Sequence, residues 1–121
     1  MRQAPYPTRG GVAVFTLSPS TKTTGITTMG EIEVAPARIV RRFGPPAPGD
    51  GYKVSGEFVF VGENDELFVV HDWKSTSLWE EDLLPPKVFW AGEEPQELNI
   101  GSRDVDTTAF EQWFLQQLQG E

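Results

Sequence analysis

One nine-residue stretch, Val69-Val70-His71-Asp72-Trp73-Lys74-Ser75-Thr76-Ser77, concentrates the polar chemistry of this chain. It holds the only histidine, an Asp-x-Lys triplet and three hydroxyls, all at the end of an apolar run. A carboxylate two residues before a lysine can join an acid on a neighbouring strand to hold Mg²⁺, with the ammonium stabilising charge or positioning a water. Glu57 is the candidate partner. If the hairpin turns midway between Gly62 and Asp65, Glu57 lies opposite Val70 and diagonal to Asp72 on one face. Strand side chains alternate faces, so Asp72 and Lys74 share a face with Val70 while His71 and Trp73 share the other with Val69. That alternation removes a Ser-His-Asp triad, because His71 points away from the carboxylate that would orient it. A plainer alternative is an Asp72–Lys74 pair at a strand end, with Ser75, Thr76 and Ser77 in a hydrogen-bonded turn. A lone histidine on a strand face is more often a structural donor than a catalyst.

These residues need a rigid hairpin to position them. Lys53–Val61 and Glu66–Lys74 read as two strands around Gly62-Glu63-Asn64-Asp65. Phe58-Val59-Phe60-Val61 and Leu67-Phe68-Val69-Val70 are apolar on both faces, the pattern of central strands covered on both sides. Ahead of the hairpin, residues 1–10 read as a loose lead-in and residues 12–17 as a short strand. Residues 18–30 read as a mobile loop or hairpin leading to a strand at Glu31-Ile32-Glu33-Val34. Pro36 at a first helical position, Ile39, Val40 and Phe43 on one face, and Gly44 as the stop predict a short helix over 36–43. Beyond the hairpin, Leu78–Pro86 is irregular, and Lys87–Trp90 and Glu97–Ile100 read as short strands. Thr108-Ala109-Phe110-Glu111 reads as a capping box opening an amphipathic helix over 108–119. The expected fold class is α+β: one small domain, residues 1–121, with a mostly antiparallel sheet of about five strands.

Composition narrows the chemistry. The 121 residues contain no cysteine, which excludes disulfides, thiol catalysis and cysteine-held zinc. With one histidine, no multi-histidine metal site can form within one chain, although a carboxylate-held Mg²⁺ stays open. No apolar run approaches the ~20 residues that span a bilayer, and no signal-peptide pattern opens the chain, so no membrane partner is expected and the location is read as cytoplasmic. The net charge of −8 is unevenly spread. Residues 1–53 carry seven basic and three acidic side chains; residues 54–121 carry three basic and 15 acidic ones. So acidic a surface disfavours nucleic acid, and suits either a basic partner or homo-oligomerisation through opposite halves.

Two resemblances bear on function. The strand-borne Asp72-Trp73-Lys74 resembles the (D/E)-x-K element of PD-(D/E)xK nucleases, which implies Mg²⁺ chemistry on Glu57, Asp72 and Lys74. The chain departs from that family at Val59, which stands where a Gly-x-x-Asp element would place its aspartate. The span from Phe43 to Trp79 is similar to a small domain of uncharacterised proteins in phages and large DNA viruses. The shared features are Phe43-Gly44-Pro45-Pro46, Gly49-Asp50-Gly51-Tyr52-Lys53-Val54, Glu57–Val61 and Val70-His71-Asp72-Trp73-Lys74. That resemblance brings no activity; it implies a recurring scaffold and a viral or mobile-element origin.

The expected function is therefore a non-catalytic accessory binding protein, phage-encoded and directed against host defence in the host cytoplasm. It would block a host protein or sequester a nucleotide signal. A nucleotide needs cations for phosphate and aromatics for bases, and the candidates are Arg38, Arg41, Arg42, Tyr52, Lys53, Trp73, Lys74 and Trp79. For a host protein, the acidic loops Glu80-Glu81-Asp82 and Glu93-Glu94 are the natural contacts. No cofactor is expected, and Mg²⁺ enters only with the nuclease alternative. A structural or assembly component is the third reading.

Overall fold

The two apolar runs of the hairpin become the centre of a sheet. The computed structural model describes residues 8–9, 12–13, 15–18 and 22–119. Its elements in chain order are β1 (Thr8–Arg9), β2 (Val12–Ala13), β3 (Phe15–Leu17), β4 (Thr27–Val34), α1 (Pro36–Phe43) and β5 (Ala47–Pro48). There follow β6 (Gly56–Gly62), β7 (Leu67–His71), α2 (Pro86–Trp90), β8 (Gln96–Ser102) and α3 (Thr108–Gln117). The six-stranded sheet runs β3-β6-β7-β8-β4, with β5 paired to β6, and every pairing is antiparallel. β1 and β2 form a separate two-stranded ribbon. This is the expected α+β class, with a main sheet of six strands where about five were expected. Residues 1–7 and 10 of the lead-in, Val14, and residues 19–21 of the expected loop lie outside the described residues.

All three helices cover one face of the sheet. Phe58, Phe60, Phe68, Val70, Leu98, Ile100, Ile32 and Val34 point to that side and pack with Ile39 of α1, Phe89 and Trp90 of α2, and Phe110, Phe114 and Leu118 of α3. The Phe68 and Phe110 rings stack with centroids 4.6 Å apart and planes 3° from parallel, and Phe43 stacks on Phe114 at 5.5 Å. Aromatic pairs of this kind add to the burial of their large apolar areas. The opposite face carries a smaller apolar cluster of Val59, Leu67 and Val69 under Ile26. Gly101 permits that cover, because a Cβ there would stand 2.9 Å from Ile26 Cδ1.

Four local expectations are corrected. Lys87–Trp90 is the helix α2, not a strand. Pro86 pre-sets the first helical turn, and a helical turn buries the adjacent Phe89 and Trp90 together while Lys87 and Val88 stay exposed. In a strand those two aromatics would face opposite ways. β4 begins at Thr27, four residues ahead of Glu31, because its threonines continue the pairing with β8 across an irregularity between Thr28 and Gly30.

The capping box on Thr108 is replaced by a different start one residue earlier. Thr107 is the N-cap residue; the Thr108 amide donates to Asp106 Oδ1 at 2.8 Å, and the Thr107 hydroxyl donates to Glu111 Oε2 at 2.6 Å. Thr107 is buried, so its hydroxyl takes the side-chain partner within reach.

The fourth correction is the hairpin register. Glu57 pairs with His71, and Phe58 with Val70, one residue off the expected alignment. Asp65 adopts a left-handed conformation at φ 62°, and the Asp65 and Gly62 amides donate to Gly62 O and Glu66 O. The turn is thereby centred on Asn64. A one-residue slip moves a side chain to the other face.

Candidate ligand-binding site

The Asp-x-Lys triplet does not survive as a unit. β7 ends at His71, and Lys74 is left-handed at φ 56°, so strand alternation stops before it. Asp72 is fully buried. Its carboxylate accepts from the Ser55 amide at 2.9 and 3.1 Å, the Ser55 hydroxyl at 3.0 Å and the Gly56 amide at 3.0 Å. Ser55 Oγ also accepts from Trp90 Nε1 at 3.0 Å, tying the clasp to the helix-covered core. Burial pushes the Asp72 pKa up, against the pull of those Gly56 and Ser55 hydrogen bonds. No Asp72–Lys74 pair forms; Lys74 instead donates its amide to Lys53 O at 2.7 Å. The corrected register puts Glu57 on the face away from Asp72, so Glu57, Asp72 and Lys74 do not converge. Among the described residues no cluster of three His, Asp or Glu side chains is placed to hold a metal ion.

The basic triplet of α1 is likewise dispersed. Arg38 donates to Leu118 O at 3.1 Å, Arg41 pairs with Glu93 at 2.7 Å, and Arg42 donates to Gln117 Oε1 at 2.7 Å. The Arg41 guanidinium holds the Glu93 carboxyl below its ordinary range. Glu80, Glu81, Asp82 and Glu94 are exposed on their loops.

A different set of residues meets on the second face. Glu57, His71, Asn99 and Glu31 pair in register across β6, β7, β8 and β4, so they form one polar row. The β6 and β7 end of this row floors a cavity of about 450 Å³, walled by Ile26, Thr27, Thr28, Asp50, Val54 and Trp73. That volume lies within the range of small-molecule sites. His71 is only 6 % exposed, and its imidazole has no hydrogen-bond partner among the described residues. No fully buried side-chain nitrogen or oxygen is left unpaired there, so the His71 nitrogens meet the open space of the cavity. Burial lowers its pKa to about 4, with Asp50 pulling the other way, and the ring is neutral at pH 7. A neutral imidazole offers one donor and one acceptor.

Glu57 stands directly across from His71, half-buried, its pKa raised by burial and by the charge of Asp50. Asp50 itself is fixed in the loop before β6. Its Oδ1 accepts the amides of Tyr52, Lys53 and Val54 at 2.8, 2.8 and 2.9 Å. Those amides hold its carboxyl below the ordinary value, and Gly51 at φ 77° makes the turn. This loop brings Tyr52 and Lys53 against Trp73, Lys74 and Trp79 of the segment that follows β7. Trp73 is 45 % exposed. Lys53 Nζ and Lys74 Nζ lie 5.6 and 5.7 Å from its ring centroid, and Lys74 Nζ lies 4.4 Å from that of Trp79. Tyr52 packs against Trp79 at 5.1 Å.

Five of the predicted binding residues, Tyr52, Lys53, Trp73, Lys74 and Trp79, therefore do come together, while Arg38, Arg41 and Arg42 do not join them. The cavity beside them is absent from the sequence-based expectation. His71 sharing Trp73's side was legible; Glu57 as its neighbour was hidden by the register, and Ile26, Thr27 and Thr28 by distance along the chain. The chain matches no family model and no curated protein. No helix among the described residues is long and apolar enough to cross a membrane.

Proposed function

We propose that this is a non-catalytic binding protein whose cavity takes a small nucleotide-like ligand: a flat heterocycle joined to an anionic group. The observation that carries it is the placement of an imidazole, without a hydrogen-bond partner among the described residues, on the floor of a cavity lined by Trp73, whose ring centroid has the ammonium groups of Lys53 and Lys74 at 5.6 and 5.7 Å. A ring beside Trp73 gains stacking, sequence-tolerant and worth about 1–3 kcal/mol per base. Lys53 and Lys74 supply charge for phosphate. We place the anionic end at Lys53 and Lys74 beside Trp73, because the carboxylates of Asp50 and Glu57, which line the cavity itself, would repel it there.

Isothermal titration of the full chain with nucleoside monophosphates and cyclic nucleotides tests the reading. Saturable one-site binding is expected, weakened about tenfold or more in Trp73→Ala. In Lys53→Ala and Lys74→Ala the affinity is expected to fall and to lose part of its salt dependence. Absence of heat and of tryptophan quenching with every nucleotide, at millimolar concentration, defeats the proposal.

A further inference from the structure

We infer that the cavity selects a heterocycle presenting two adjacent N–H donors beside a carbonyl, the hydrogen-bonding edge of guanine. The inference rests on the nucleotide reading above and specifies which base the floor accepts. Its ground is the juxtaposition of Glu57 and His71, paired residues of β6 and β7 whose side chains project into the same cavity. Directly opposed strand residues have Cβ atoms about 4.5–5.5 Å apart, close enough for one planar edge to meet both.

Glu57 has no hydrogen-bond partner among the described residues, and an ionised carboxylate only accepts. Half-buried beside Asp50, it is stabilised by a ligand that brings donors, and by two at once when they match its two oxygens. Guanine offers its ring N1–H and its amino group side by side, in that geometry. Its O6 then turns toward the His71 side, where a neutral imidazole donates one N–H. The other bases fit less well. Adenine and cytosine set a ring-nitrogen lone pair beside the amino group, against the carboxylate. Uracil has one N–H between two carbonyls, one of which would face Glu57.

Titration of the 121-residue chain with GMP, IMP, AMP, CMP and UMP separates the possibilities. GMP is expected to bind about tenfold or more tighter than AMP, the scale of discrimination by one bidentate contact. IMP, which keeps N1–H and O6 but lacks the amino group, is expected between them. In Glu57→Gln the preference for GMP over AMP should shrink to about twofold or less, because the affinity for GMP falls with loss of the paired acceptor. Comparable affinity for all five nucleotides, still lost in Trp73→Ala, overturns the guanine assignment and leaves the nucleotide site standing. Failure of every nucleotide to bind overturns both. The wild-type series decides without any variant, so the outcome does not depend on Glu57→Gln folding normally.

Discussion

Asp72→Ala is expected to cost about 3 kcal/mol of folding stability and to lower Tm by roughly 10 °C in thermal or urea unfolding. The reason lies in what the carboxylate holds. It is fully buried and accepts two backbone amides and one hydroxyl from the residues that open β6. Truncation strands the Ser55 and Gly56 amides away from water, and an orphaned buried donor costs about 1–3 kcal/mol. The Ser55 hydroxyl, freed from Asp72, also loses its orientation toward Trp90 Nε1. Asp72→Asn should cost less, because one amide oxygen still accepts while the amide nitrogen meets the Ser55 donors. Acid does not mimic these variants. Burial raises the Asp72 pKa in the folded state, so its titration favours folding below the unfolded value of 3.8, and that contribution is lost as pH rises through the folded value. A variant within about 0.5 kcal/mol of the parent, the range of an ordinary surface change, would remove Asp72 from this role.

This assignment separates Asp72 from Lys74, which the sequence placed in one motif. The sheet was legible because Phe58–Val61 and Leu67–Val70 are long apolar runs, and α1 because Pro36 and Gly44 bracket it. The register was not, since it turned on Asp65 entering a left-handed conformation that most residues avoid. That half-turn of geometry decided whether Glu57 met Asp72 or His71. The α1 arginines looked like an anion site because spacing along the chain says nothing of partners far away. Arg41, from the basic half, meets Glu93, from the acidic half, so part of the charge asymmetry is answered within the molecule. The cavity escaped for the same reason: its walls come from segments around residues 26–28, 50–54, 57 and 71–73. No local pattern joins them. The rim was accessible because Lys53, Trp73 and Lys74 are chemically distinctive wherever they fall.

Between pH 7.5 and 4.5, His71 should withdraw about 2–3 kcal/mol of stability from the protein, a loss absent from His71→Gln. In the folded state burial lowers its pKa from 6.5 to about 4, so the unfolded chain binds a proton that the folded chain refuses. Stability from this group is complete above pH 6.5 and is lost as pH falls toward 4. Glu57 and Asp72 work in the opposite direction, since their raised values make the folded state take up protons more readily at low pH. The total stability of the parent therefore blends opposing slopes, and only the difference between parent and His71→Gln isolates the imidazole. Urea unfolding at several pH values gives that difference. As the chain has one histidine, a single ring resonance followed by NMR reports its folded pKa directly. Parallel stability curves for parent and variant, together with a resonance titrating near pH 6.5, would mean that the ring is hydrated rather than buried. The cavity floor would then offer a ligand an imidazolium at mildly acid pH instead of the neutral donor and acceptor on which recognition of a base edge depends.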